Sequence, residues 1–303
     1  MTRVAAVDCG TNSIRLLVAD EANGRLTDVV REMRIVRLGQ GVDRTGVLAP
    51  EALERTFAAL REYASLVGLH GASRVRMVAT SATRDAANAE EFVRGCTEIL
   101  AVEPEVVSGD EEARLSFLGA TYELAGAPGP YVVADIGGGS TEIVVGADEA
   151  EQAVSVDVGC VRLTERWLRS DPPTDEEVAG ATADVARALD TVEAAVDVSQ
   201  ARTFVGMAGS VTTLGAMALG LDEYDPDAIH LTRLSAERVE ELTAALLRAT
   251  REERARIGAM HPGRVDVIGA GALVLREIVR RWSLREVVVS ERDILDGIAL
   301  SLV

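Results

Sequence analysis

The sequence predicts an α/β protein of two lobes, on three observations. A strand, a glycine turn and a second strand open the chain at Val4, and the same order recurs from Tyr131. Between these points, strand-like apolar runs alternate with segments whose apolar positions recur at three and four residues, the spacing of a helix face. The chain has 303 residues, 48% of them apolar and 26% charged, enough for two domains of about 150 residues each.

The elements follow in order. Val4–Val7, Ile14–Ala19 and Val29–Leu38 read as strands separated by turns at Gly10–Asn12 and Asn23–Gly24. Leu53, Phe57, Leu60, Ala64 and Val67 share a helix face, with Pro50 as the start signal and Gly68 as the stop. A strand at Val75–Ala79, a helix at Ala89–Leu100, a strand at Glu105–Val107 and a helix at about Asp110–Leu124 complete the first α/β unit. Ala125–Pro130, with two prolines and two glycines, reads as a linker. Strands then follow at Tyr131–Ala134 and Ile143–Val145, a long helix at Thr174–Val196 and a buried strand at Thr203–Val205. Further helices are expected at Ser235–Leu247 and Ala270–Trp282, a strand at Val287–Val289 and a closing helix over Ile294–Val303. The expected division is 1–124, completed by a C-terminal helix at about 291–303, and 125–290.

Sliding the chain along itself by 127 positions (135 minus 8) superposes Asp8 on Asp135, Gly10 on Gly137 and Ser13 on Ser140. Leu16, Leu17 and Val18 then fall on Ile143, Val144 and Val145. The shared pattern is D-x-G-x-x-S followed by a β run, which marks a duplicated module.

Composition excludes several classes. The 31 basic residues are all arginine, and 49 acidic residues leave a net charge of -18, which speaks against the basic footprint of a nucleic-acid binder. Cys9, Cys96 and Cys160 are odd in number and form no CxxC pair, so a disulfide framework or zinc site has no support and a reducing cytoplasm is expected. The opening segment carries Asp8 inside its first apolar run and lacks a signal-peptide h-region. Phe204–Leu221 is apolar but interrupted by Gly206, Gly209, Gly215 and Gly220, which suits a buried strand, turn and helix better than a membrane span. His70, His230 and His261 lack metal-ligand spacing, and Gly269-Ala270-Gly271 lacks the third glycine of a dinucleotide fingerprint.

The chemistry concentrates in Asp135-Ile136-Gly137-Gly138-Gly139-Ser140-Thr141-Glu142. Consecutive glycines let backbone N–H groups approach a ligand without a Cβ in the way, an arrangement suited to phosphate oxygens. Asp135 and Glu142 flank that turn, where two carboxylates would repel phosphate unless a divalent cation intervened. Magnesium is therefore expected. A plain glycine hairpin with two solvated carboxylates is the alternative, and the matching Asp8-Cys9-Gly10-Thr11-Asn12-Ser13 module weighs against it.

Two such hairpins resemble the phosphate-clamping loops of the actin, sugar-kinase and chaperone ATPase superfamily. Added to these are Thr80-Ser81-Ala82-Thr83-Arg84, Ser108-Gly109-Asp110-Glu111-Glu112-Ala113-Arg114, Gly159 to Glu165 and Gly209-Ser210-Val211-Thr212-Thr213. Together they resemble the exopolyphosphatase and guanosine pentaphosphate phosphohydrolase family from Val4 to about Gly297. The resemblance implies two actin-like, ribonuclease H-like lobes with a cleft between them. Glu112 matches the general base that activates water, and Arg84 matches an arginine that contacts the transferred phosphate. Asp135, Glu142 and Asp8 match the magnesium-associated carboxylates. Thr11, Asn12 and Ser13, with Gly137, Gly138, Gly139, Ser140 and Thr141, would cradle the terminal phosphates, and Gly209 and Ser210 match a third glycine loop. Glu111, next to the expected base, points about 100° away around a helix.

The implied activity is magnesium-dependent hydrolysis of the terminal phosphoanhydride of linear polyphosphate. Longer family members carry a further helical region, and this chain resembles the short form without it, so short chains are the expected substrate. Removal of the terminal phosphate of guanosine pentaphosphate uses the same groups and is the nearest alternative. An ATP-dependent kinase or ATPase would need an acceptor pocket that the sequence does not identify, and a non-catalytic alarmone sensor would not need Glu112, Asp135 and Glu142. No nucleic-acid or membrane partner is expected, and a homodimer is compatible with the resemblance. The acidic charge requires a local positive cleft, for which Arg84, Arg114, Arg15, Arg162 and Arg264 are candidates.

Overall fold

A computed structural model describes residues 2–124 and 127–303. The chain forms two compact units, Met1–Gly119 with Asp293–Val303, and Ala120–Arg292. Ala125 and Gly126 of the expected linker lie outside the described residues.

The first unit holds β1 (Thr2–Cys9), β2 (Ser13–Ala22), β3 (Arg25–Ile35), β4 (Arg74–Ala79) and β5 (Glu105–Val106) in the order β3-β2-β1-β4-β5. β1 is antiparallel to β2 and parallel to β4. Its side chains alternate across the sheet. Ala5, Val7 and Cys9 pack with Leu53, Leu60, Tyr63 and Phe92 from the helices Pro50–His70 and Ala89–Leu100. Val4 and Ala6 pack on the other face with Leu115, Ile294, Leu295 and Ile298. The last three belong to the helix Ile294–Leu300, whose N-cap Asp293 forms a capping box with Asp296.

The second unit holds β6 (Tyr131–Ile136), β7 (Thr141–Gly146), β8 (Ala150–Val156), β9 (Thr203–Met207), β10 (Arg233–Ser235) and β11 (Glu286–Val289), in the order β10-β11-β9-β6-β7-β8. Here β6 is antiparallel to β7 and parallel to β9. The order β3-β2-β1-β4 thus recurs as β8-β7-β6-β9, with the two glycine turns at matching places. A core of Val132, Ala134, Ile136 and Ile143 packs against Val185, Leu214, Leu246 and Leu273 from four helices of this unit.

Several expected boundaries move for identifiable reasons. β3 stops at Ile35 rather than Leu38 because the N–H groups of Val36 and Arg37 donate to Asn12 O at 3.0 and 2.9 Å. Gly68 lies inside the first helix, which ends instead at Gly71 with φ 63°, the left-handed position that glycine occupies freely. Directly after the strand Arg74–Ala79, Ser81–Arg84 forms one helical turn. The helix placed at Asp110–Leu124 ends at Thr121. Gly269-Ala270-Gly271 is buried within the helix Ile268–Arg281 and is no turn. β8, β10 and the helix Cys160–Arg166 carry no long periodic pattern. Among the described residues, no helix is long and apolar enough to cross a membrane.

Candidate active site

In the first unit the residues singled out by sequence gather at the C-terminal ends of three strands, where open α/β sheets bind ligands. β1 ends at Cys9, paired with Ala79 at the end of β4, and Ala79 pairs with Val106 of β5. The loops Gly10–Asn12, Thr80–Arg84 and Val107–Glu112 therefore leave the sheet side by side. Gly10 N–H donates to Ser13 O at 3.0 Å and closes the first turn. The carbonyls of Thr11 and Asn12 accept from Gly39, Val36 and Arg37, and the Thr11 hydroxyl lies 2.9 Å from that of Ser81.

Glu112 is 7% exposed. Its Oε2 accepts from Arg84 Nη1 at 3.1 Å, and the same Nη1 donates to Val107 O at 2.8 Å. A buried carboxylate requires such compensation, and the carbonyl contact fixes the guanidinium beside it. Glu111 is held apart from this pair by Arg76, at 3.3 Å. Arg114 pairs with Asp110 along the exposed helix face.

Asp8 is also buried. Its Oδ2 accepts from Arg15 Nη2 at 2.6 Å and Nε at 2.9 Å, whereas its Oδ1 has no hydrogen-bond partner among the described residues. Burial raises the Asp8 carboxyl above its ordinary value, and the Arg15 charge offsets part of that rise. Arg15 also pairs with Asp293, so one guanidinium ties the first turn to the cap of the C-terminal helix.

In the second unit the corresponding turn is closed by Gly137 N–H donating to Ser140 O at 3.1 Å. The carbonyl of Gly137 accepts from Cys160 N, and that of Gly138 from Val161 N and Arg162 N. Arg162 Nε donates to Gly139 O at 2.6 Å. Three consecutive carbonyls are thus turned toward the start of the helix Cys160–Arg166. Gly159 makes this contact possible, because a Cβ there would lie 2.5 Å from Gly138 C and O and 2.8 Å from Gly139 N. The Thr141 hydroxyl donates to Val158 O at 2.7 Å and braces the turn from below.

Asp135 and Glu142 are direct partners across β6 and β7, so their side chains leave the same face of the sheet. They are 7% and 1% exposed, and Glu142 Oε1 accepts from Ser155 Oγ at 2.7 Å. The 127-residue shift maps Glu142 onto Arg15. The duplicated hairpins therefore carry an acid–acid pair in the second unit and an acid–base pair in the first. Among the described residues, no three His, Cys, Asp or Glu side chains converge as a metal site. Two carboxylates nevertheless fit magnesium, which is commonly held by one or two carboxylates and completes its shell with water and phosphate oxygens.

Gly209 and Ser210 differ from the expected glycine loop. β9 passes directly into the helix Ala208–Leu219, and both residues lie in its first turn. The junction places Ala208 at φ 64°, a left-handed conformation costly for a non-glycine residue. Gly209 O accepts from Arg264 Nη1 at 2.8 Å. Asp135 pairs with Met207, so this turn adjoins the glycine hairpin. Cys160 is buried nearby, and its thiol is pushed up to about 11, chiefly by burial. Sequence reasoning could name Arg15, Arg162 and Arg264 without assigning their contacts. It missed Ser155, for which a lone serine in an unrecognised strand gives no signal.

The model of the Ppx/GppA phosphatase family matches residues 17–303. Exopolyphosphatase 2 of Mycobacterium tuberculosis is 53% identical over 315 aligned positions that cover 100% of this chain and 99% of that protein. Among solved structures, an exopolyphosphatase-like protein superposes with a TM-score of 0.96 at 45% identity, over 99% of this chain and 97% of that one. A Ppx/GppA family member of Aquifex aeolicus gives a TM-score of 0.84 at 32% identity, over 99% and 97% of the two chains. The chain belongs to the Ppx/GppA phosphatase family.

Proposed function

We propose that the protein is an exopolyphosphatase that hydrolyses the terminal phosphoanhydride of linear polyphosphate and releases orthophosphate. The observation that carries this reading is the buried Glu112 held at 3.1 Å by Arg84, in a chain 53% identical throughout to an exopolyphosphatase. In this reading Glu112 orients a water and takes its proton as the water oxygen bonds to the terminal phosphorus. The bond from phosphorus to the bridging oxygen breaks, and its electron pair remains on the shortened chain. Arg84 lies beside the base and offsets charge on the equatorial oxygens. The amides of Gly138, Gly139 and Ser140, whose turn directs its carbonyls the other way, bind phosphate oxygens, as do Thr11, Asn12 and Ser13. Gly209 and Ser210 adjoin them.

Asp135 and Glu142 would hold magnesium, which would neutralise phosphate charge. The Ser155 hydroxyl orients Glu142 in this arrangement. Ser155→Ala is expected to weaken magnesium binding by about 10–100-fold, the usual effect of removing a partner of a metal ligand. Calorimetric titration of magnesium into both proteins checks this, and equal affinities would remove Glu142 from the ligand set. The three cysteines are free and buried, in keeping with a reducing cytoplasm.

The deciding experiment measures orthophosphate release from short-chain polyphosphate, long-chain polyphosphate, guanosine pentaphosphate and ATP, with magnesium and with excess chelator. Release from short-chain polyphosphate that chelation abolishes is the expected result. Turnover confined to guanosine pentaphosphate would reassign the substrate, and turnover unchanged by chelator would discard the metal.

A further inference from the structure

The second unit contains a cavity of about 720 Å³ that the reaction above does not use. It is lined at the N-terminal ends of the strands by Val132 of β6, Phe204 of β9 and Glu286 of β11. The glycine hairpin and Gly209 follow the opposite ends of β6 and β9. A five-residue strand separates the two places by on the order of 15 Å, so the cavity is separate from the phosphate-binding turns of this unit.

Its chemistry is unusual for a chain with a net charge of -18. Arg202, Arg233 and Arg285 line it beside a single acid, Glu286. Arg233 pairs with Glu286 and neutralises it, whereas among the described residues the guanidinium groups of Arg202 and Arg285 have no hydrogen-bond or ion-pair partner. Two unpaired arginines at one concavity create a local positive field on an acidic protein, and their planar forks match phosphate oxygens. Trp282, one of only two tryptophans in the chain, adds an aromatic wall and packs edge-on against Phe204, with ring centroids 6.1 Å apart. Ser283, at φ 49°, is the left-handed residue that ends the helix Ile268–Arg281, closed by Ser283 N donating to Arg280 O and Leu284 N to Val279 O, which sets Trp282 and Arg285 on the same rim. The volume lies within the range of pockets that enclose small organic ligands and greatly exceeds the needs of one orthophosphate.

We propose that this cavity is a second ligand site, which binds a phosphorylated organic anion of nucleotide size with its phosphates on Arg202 and Arg285 and a planar ring against Trp282. The test is calorimetric titration of ADP, pyrophosphate and inorganic phosphate into the wild type and the Arg202→Ala/Arg285→Ala double variant, with tryptophan fluorescence recorded in parallel. ADP is expected to bind the wild type with quenching of tryptophan emission, and at least tenfold more weakly to the double variant. Both arginines are exposed, so the variant is expected to keep its melting temperature. It is also expected to keep its rate of polyphosphate hydrolysis, which separates failure of this site from failure of the proposed reaction. ADP affinity unchanged in the double variant, or no saturable binding of any probe, would overturn the proposal. Inorganic phosphate binding as tightly as ADP would remove the ring from it.

Discussion

Glu112→Gln is expected to lower orthophosphate release from polyphosphate by about 10²–10⁴-fold, the contribution of a positioned general base, while the fold survives. Glutamine keeps the shape of the side chain, and its carbonyl oxygen can accept the 3.1 Å hydrogen bond that Arg84 now gives to Oε2. Arg84 retains its second bond to Val107 O at 2.8 Å, so the guanidinium is not left without a partner. What disappears is the capacity to take a proton from water. The neighbouring Glu111→Gln is the control. Its carboxylate faces Arg76 at 3.3 Å, and its loss is expected to leave turnover within about twofold, since it withdraws one surface ion pair. Steady-state rates and thermal melts of the three proteins decide the matter. A Glu112→Gln enzyme with a wild-type rate would move the base elsewhere, whereas a collapsed melting temperature would make the pair structural.

The sequence showed most of this site because its chemistry is written in local patterns. Asp135 to Glu142 is one contiguous hairpin, and its glycines and flanking carboxylates are legible without coordinates. The duplicated order of strands was also visible, since Asp8, Gly10 and Ser13 repeat at a fixed distance from Asp135, Gly137 and Ser140. The partners that come from distant sequence were not visible. Nothing near Arg84 in sequence indicates that its guanidinium reaches Val107 and Glu112, because that contact depends on the pairing of β4 with β5. Likewise Arg15 reads as a basic strand residue until the register sets it opposite Asp8. Around Gly209 the sequence shows a strand, a turn and a helix, but not that β9 and its helix join directly through the left-handed Ala208. Such a tertiary constraint overrides local preference.

Gly159→Ala is expected to damage both stability and phosphate handling, because the contact it disturbs is backbone against backbone. The added methyl group would meet Gly138 C and O at 2.5 Å and Gly139 N at 2.8 Å, and no side chain can rotate away to relieve it. Gly159 has φ -160°, an extended conformation open to alanine, so the effect isolates close approach from backbone preference. Either the helix Cys160–Arg166 or the glycine turn must move. Movement stretches the bonds from Cys160 N, Val161 N and Arg162 N that hold the carbonyls of Gly137 and Gly138 toward the start of that helix. Overpacking of this kind costs about 1–3 kcal/mol, to be read as a fall in the denaturant midpoint. Because the turn would lose its preset geometry, the Michaelis constant for polyphosphate is expected to rise more than in an equally destabilised variant such as Leu189→Ala, whose side chain lies in the core of the same unit. If the two variants showed the same kinetics at matched stability, Gly159 would serve packing alone, and the amides of the turn would lose their assigned part in binding phosphate.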